Sequence, residues 1–332
     1  MAYRLIHLHV STPTLPGVDE VKSMPEVRDF TRQPQESGGF VYHILTRTEE
    51  LQAITDRICG ILGKTPYQMS ILPVETVLPK PPAPELVPEE KKKTLFGISR
   101  EELYDDVERG AVVNTNFIWL TIFSTVVAAI GLLENNVAVV IGAMVIAPLL
   151  GPNIALALAS ALGDIPLLRR AIVTNLTGVT IALLISIGVG MFWPGPLDSP
   201  ELLSRTDVGF DGIILAIVAG AAGVLSLTSG VPSVLVGVMV AVALLPPAVT
   251  LGVFLGVGNF TLAMGAGLLL AVNVVCVNLA AKFVFLFKGI RPRSWYQQQQ
   301  AKAATRWSML FWIISLLLLM GVIILRSRVE LP

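Results

Sequence analysis

Seven apolar segments, at 112–133, 137–162, 170–193, 209–228, 231–257, 260–287 and 307–325, constrain this chain more than any other feature. About 20 apolar residues carry an α-helix across the hydrocarbon core of a bilayer. No water is present there to satisfy open backbone groups, so such segments close their hydrogen bonds within a helix. The expectation is a mainly α, polytopic membrane protein of about seven transmembrane helices. Composition agrees: charged residues make up 14% of the chain, against roughly 25% in soluble domains, and the mean hydropathy is +0.71. A formal net charge of zero leaves no electrostatic footprint for nucleic acid. Membrane lipid is the expected surrounding partner.

Residues 1–78 read as a separate, soluble α+β domain. YRLIHLHV at 3–10, FVYHILT at 40–46 and MSILPVETV at 69–77 alternate in polarity, the mark of half-buried strands. Leu51, Ile54, Ile58, Ile61 and Leu62 fall at helical spacing and Gly63 ends the pattern. The span 17–36 reads as holding a short helix. A small ferredoxin-like sandwich fits this order. The opening MAYRLIHLHV lacks the apolar core of a secretory signal. The domain is therefore expected in the cytoplasm and the chain in the inner (plasma) membrane.

His7, His9 and His43 are the only histidines, and no cysteine or acidic cluster completes a site at ligand spacing, so no metal is expected. Cys59 and Cys276 form no disulfide framework. A small-molecule regulator at the sheet surface is kept open, by analogy of fold alone. PKPPAPELVPEEKKK heads a linker at 79–98, where proline bars helix and strand. Ser99 to Glu102 forms a capping box that opens an amphipathic elbow at 99–111, with Leu103 and Val107 on one face.

Loop charge sets the orientation. Arg169 and Arg170 follow the second segment, and the stretch 288–306 carries Lys288, Arg291, Arg293, Lys302 and Arg306. The loop between the third and fourth segments instead holds Asp198, Glu201, Asp207 and Asp211 against Arg205. Basic loops stay inside, so the basic stretch joins the N-terminal domain in the cytoplasm. Residues 307–332 form the last transmembrane helix and its tail.

The chain also resembles itself. GAMVIAPLLGPNIAL at 142–156 is matched by GVMVAVALLPPAVTL at 237–251, so that Gly142 falls on Gly237 and Pro152 on Pro247, a shift of 95 residues. That shift lays segments one to three on four to six, giving membrane repeats at 112–193 and 209–287. Three crossings per unit invert the second unit, the 3+3 arrangement of many transporters. Chance similarity between apolar stretches is the competing reading. Both matched elements carry helix breakers, Pro148, Gly151 and Pro152 in one and Pro246 and Pro247 in the other. The expectation is two broken helices, with half-helices starting at Asn153 and Ala248, against the alternative of packed kinks. Asn153, Asn175, Thr177, Asn273 and Asn278 are the uncharged polar residues expected along a shared pathway. Hydrogen bonding between helices is the alternative for them. Lys282, near the end of segment six, is expected to snorkel. Small residues on several faces point to a homo-oligomer.

No Asp or Glu lies deep in a segment, which weighs against a proton pump. There is no P-loop, no HExxH and no acid pair, so no cofactor is implied and no enzyme is expected.

SREELYDDVERGA at 99–111, VAVVIGAMVIAPLLGPNIALALASALGD at 137–164 and LPVETVLP at 72–79 resemble the bacterial and archaeal family catalogued as domain of unknown function 389, the uncharacterised hydrophobic domain family. The resemblance covers nearly the whole chain. It implies a prokaryotic membrane protein and carries no activity, substrate or catalytic residue with it. The residues themselves point to a passive pore or facilitative transporter for a small anion or polar neutral solute, regulated by the N-terminal domain. The alternative is a non-transporting membrane scaffold whose cytoplasmic domain binds a partner or small-molecule regulator.

Overall fold

The structure is a computed structural model that describes residues 3–11, 19–35, 39–63, 65–74, 76–77, 100–229, 233–290 and 295–329, without the side chains of 100–101, 233–242, 295–307 and 326–329. The linker at 79–98, Ser99 of the capping box, and Arg291 and Arg293 of the basic stretch lie outside the described residues. The chain divides into two compact units, Met1–Glu102 and Leu103–Pro332.

The first unit is a four-stranded antiparallel sheet of β1 (Tyr3–Val10), β2 (Val27–Pro34), β3 (Phe40–Arg47) and β4 (Tyr67–Val74) in the order β2-β3-β1-β4. A 3-10 turn at Asp19–Ser23 precedes β2, and helix α1 (Leu51–Leu62) joins β3 to β4. This follows the β-α-β-β-α-β order, with the short turn in the place of a first helix. Alternation sends Ile6, Leu8, Val10, Tyr42 and Ile44 to one face, where α1 covers them with Leu51, Ile54, Ile58 and Leu62. Each such side chain contributes about 1.5–3 kcal/mol on burial.

The span 17–36 thus holds a strand as well as a turn. β2 pairs only with β3, so it is an edge strand. Its sequence VRDFTRQP is largely exposed and carries three charges on the way to a terminal proline. An edge needs no apolar alternation, which is why the pattern is faint there.

The second unit is helical. Helix α2 (Arg100–Gly110) leads into α3 (Thr115–Leu133), α4 (Val137–Ile146), α5 (Leu150–Leu162), α6 (Ile165–Phe192), the short α7 (Pro200–Leu203), α8 (Phe210–Thr228), α9 (Ser233–Val257), α10 (Phe260–Phe287) and α11 (Trp295–Val329). Among the described residues, five helices are long and apolar enough to cross a membrane: α3, α6, α8, α10 and the Ser308–Leu325 part of α11. α4 and α5, bent by 55° to one another, make a sixth if they are one span. The described side chains of α9 form a shorter apolar stretch, Ala243–Val257. The chain is a membrane protein.

α9 lies at the centre of the unit, against α3, α4, α5, α6, α8 and α10. Close approach to α6 depends on missing side chains: a Cβ at Gly190 would stand 2.2 Å from the Val253 carbonyl oxygen, and one at Gly256 would stand 2.3 Å from that of Ile187. α11 packs on α10 and α5 and is otherwise almost bare.

Helix bounds recur at the sequence shift of 95. Adding 95 to the ends of α3, Thr115–Leu133, gives those of α8, Phe210–Thr228, and adding it to α6, Ile165–Phe192, gives α10, Phe260–Phe287. The joints recur too. Gly163 and Gly258 both take left-handed φ, 70° and 82°, a conformation that favours glycine. The next residues, Asp164 and Asn259, each cap the following helix by accepting from a backbone N–H, of Leu167 and of Leu262.

The expected pair of breaks is not a pair. The α4–α5 span is broken, but its second half begins at Leu150 rather than Asn153, with Pro152 in the first turn, where its missing N–H has no helical acceptor to leave open. α9 runs through Pro246 and Pro247 as one helix, so no half-helix begins at Ala248. The physical reason lies on α10. Pro247 cannot donate to the carbonyl of Ala243, and that carbonyl instead accepts from Asn273 Nδ2 at 2.7 Å. A side chain satisfies the freed group, and the helix holds.

Candidate functional site

The break at 147–149 is where the site begins. α4 ends when Ala147 turns extended, at ψ 123°, ahead of Pro148. The carboxyl end of α2 is seated on the first turn of α5: a Cβ at Gly151 would lie 2.6 Å from the Gly110 carbonyl oxygen. Three contacts hold α2 along the start of α6. Tyr104 donates to Asp164 Oδ2 at 2.6 Å, Arg170 pairs with Glu108 at 2.6 Å, and Thr174 donates to the Ala111 carbonyl at 2.7 Å. Burial, and then the hydrogen bond to Asp164, push the Tyr104 hydroxyl well above the usual tyrosine range.

Between α2, the start of α3, the break and the end of α8 lies a cavity of about 610 Å³. Pro148, Gly151 and Ile154 form its inner wall, Phe117 and Leu120 one side, and the paired Asp106 and Arg109 (2.7 Å) its mouth. Behind that wall three asparagines meet. Asn153 Nδ2 donates to its own helix at the Leu149 carbonyl, 3.0 Å, and to Asn175 Oδ1 on α6, 2.9 Å. Asn278 Nδ2, on α10, donates to Asn153 Oδ1 at 3.2 Å and to the Val274 carbonyl at 2.9 Å. Asn153 is 3% and Asn278 0% exposed. Two buried atoms of these three asparagines, Asn175 Nδ2 and Asn278 Oδ1, have no partner among the described residues.

A second cavity, of about 270 Å³, lies among α8, α9 and α10 and is lined by Arg205, Gly212, Leu215, Ala243, Pro247 and Asn273, with others. Four of its residues are those of the first cavity shifted by 95: Gly110 becomes Arg205, Phe117 becomes Gly212, Leu120 becomes Leu215 and Pro148 becomes Ala243. The two cavities lie toward opposite ends of α8. The first reaches Leu227 near its carboxyl end, and the second runs from Gly212 to Ala219 near its amino end. Arg205, paired to Glu201 at 3.3 Å, reaches the second cavity from the loop before α8.

The structure therefore brings Pro148, Gly151, Pro152, Asn153, Asn175 and Asn278 together at the break, and Pro247 with Asn273 at the second cavity. Pro246 is buried within α9 beside Pro247. Thr177 takes no part, since its hydroxyl donates back to the Val173 carbonyl of its own helix. Lys282 does not snorkel. It is 0% exposed and donates to Ser308 on α11, because α5 and α11 cover the end of α10 where it sits. Lys288, just past that end, donates to Thr228 Oγ1 at 2.7 Å, and burial lowers its pKa. Sequence reasoning passed over Arg205 and Gly110. The signal for the first was a lone base in an acidic loop, and for the second a glycine at the foot of an amphipathic helix. Among the described residues no three His, Cys, Asp or Glu side chains converge as a metal site.

No solved structure matches this chain. The family model described as "Domain of unknown function (DUF389)" matches residues 144–279, a stretch running from just before the break into α10. An uncharacterized protein of the archaeon Methanocaldococcus jannaschii is 33% identical over 314 residues, covering 94% of this chain and 96% of its own length. With the break and the asparagines inside the matched stretch, and a relative aligned along both units, the chain belongs to the domain of unknown function 389 family.

Proposed function

We propose that this chain is a passive pore or facilitative transporter for a small anion or polar neutral solute. The observation that carries the reading is the placement of two cavities toward opposite ends of α8, with the asparagine chain between them. Asn273 lines the second cavity. Asn278 lies five residues further along α10, about 7.5 Å at the helical rise, and bonds to Asn153 behind the wall of the first. Polar groups in a bilayer interior are costly unless they bond to one another or line a route for a polar solute.

The frame of the proposal is seven spans, with α4–α5 as one and α9 as another, in a 3+3 inverted repeat. The recurring helix bounds support it. So does the packing: exchanging the repeats turns the α5–α10 contact into α9–α6, and both contacts are made. We place the N-terminal unit in the cytoplasm of a cell with this chain in its inner membrane, as a regulator, and expect a homo-oligomer. No catalytic role is assigned. Flux of small solutes into proteoliposomes tests the proposal, and rates equal to those of empty vesicles for a panel of anions and neutral solutes would end it.

The second reading is a membrane scaffold whose N-terminal domain binds a partner. The near-complete burial of Asn153 and Asn278 favours it, since packed asparagines also join helices.

A further inference from the structure

The asparagine chain has two open ends of opposite kind, and these point to a solute class. Its atoms can be assigned without ambiguity. The Asn153 atom facing the Leu149 carbonyl must be nitrogen, because two oxygens would repel. The Asn278 atom facing the Val274 carbonyl must be nitrogen for the same reason. Asn153 Oδ1 therefore accepts from Asn278, and Asn153 Nδ2 donates to Asn175 Oδ1. What remains is one buried N–H donor, Asn175 Nδ2 on α6, and one buried acceptor, Asn278 Oδ1 on α10, neither with a partner among the described residues.

We propose that this chain selects a small neutral solute carrying both a hydrogen-bond donor and an acceptor, of the urea and simple amide type, over an anion or a cation. The proposal rests on the transport reading above and narrows its solute class. A neutral molecule with both groups can accept from Asn175 Nδ2 and donate to Asn278 Oδ1 in turn, as it passes the two ends of the chain. An anion would meet the Asn278 oxygen, the negative end of the amide dipole, and an ion of either sign loses far more hydration than a neutral molecule does. A cation would meet the Asn175 N–H and the buried Lys282, one turn beyond Asn278 on α10. Charge at the two cavities is paired, Asp106 with Arg109 and Glu201 with Arg205, so neither mouth concentrates an ion of one sign.

Urea, nitrate and guanidinium test this directly, being planar, three-armed and of similar size with charges of zero, minus one and plus one. The full chain in proteoliposomes, with potassium and valinomycin to balance charge, is expected to pass urea at least tenfold faster than empty vesicles. Nitrate and guanidinium are expected at the empty-vesicle rate. Asn278→Leu and the more peripheral Asn175→Ala, each checked for a monodisperse peak in detergent, are expected to lower urea flux at least tenfold. Nitrate flux sensitive to Asn278→Leu, with urea at background, would overturn this inference and leave the transport reading standing, whereas guanidinium flux of that kind would overturn both. Urea flux unchanged in both folded variants would also overturn it. Background rates for all three solutes would overturn the transport reading as well.

Discussion

Asn273 donates to the carbonyl of Ala243 at 2.7 Å, the acceptor that Pro247, four residues on, cannot reach with an N–H it lacks. One side chain on α10 thus stands in for a missing backbone donor on α9. Hydrogen bonds between membrane helices are worth about 0.6 kcal/mol on average and up to about 1.7 kcal/mol. We expect Asn273→Leu to lower thermal stability in detergent by an amount within that range. In a Pro247→Ala background the new N–H can serve Ala243, and the same substitution should cost little. A full penalty in both backgrounds would show that Asn273 acts elsewhere.

The contact between Gly110 and Gly151 predicts opposite outcomes at two glycines one helix apart. A Cβ at Gly151 would collide with backbone, whereas a Cβ at Gly142 would meet nothing within 4 Å. Gly151→Ala should lift α2 from the break and destabilise the fold. Gly142→Ala should be neutral or stabilising, by up to about 1 kcal/mol from helix propensity. Melting of the two variants side by side, with proteolysis near Arg109 as a readout of α2, tests the pair.

Tyr104 and Asp164 set a pH dependence for the same helix. The Tyr104 hydroxyl is raised above its ordinary value of 10.0, by burial first and the Asp164 bond second. A raised acid contributes stability that is fully present below the ordinary value and is lost as pH climbs toward the folded one. The α2 contact should therefore hold across neutral pH and weaken only above about pH 10. Tyr104→Phe should remove that alkaline sensitivity, as read by melting between pH 8 and pH 11.

Lys282, buried at the meeting of α10, α5 and α11, should be replaceable. Desolvating an ammonium offsets much of what its contacts contribute, and a buried ion replaced by an apolar side chain of similar size is often neutral or stabilising. Lys282→Met is expected to purify and melt like the parent chain. A collapse in yield would mean that the charge itself organises this corner.

Legibility in the sequence followed from how local each cause is. β1 and α1 could be read because one face of each is apolar along its own length, Ile6, Leu8 and Val10 in the strand and Leu51, Ile54 and Ile58 in the helix. β2 could not, because an edge strand is defined by the neighbour it has and not by its own pattern. The self-similarity of 142–156 and 237–251 was visible because the two stretches share residues such as Gly142 and Gly237 at one shift. The asparagines could be named as polar groups in apolar surroundings. Which of them meet could not, since Asn153 and Asn278 are 125 residues apart and are joined by the packing of α5 on α10.

By itself, then, the sequence determined that this is a polytopic helical membrane protein with a small sheet domain before it, because long charge-poor segments leave the backbone no other way to satisfy itself in lipid. It also determined where helices could break, because proline removes a donor wherever it stands. Only the tertiary structure decided which breaks were realised. Pro152 falls in a first turn, where no donor is needed, and the span opens just before it at Pro148. Pro247 falls opposite Asn273, whose amide replaces the missing N–H, and the helix stays whole. The same residue type stands beside a bend between α4 and α5 and within an unbroken helix in α9, because the partner for the freed carbonyl comes from a different helix, and only packing determines which side chain arrives.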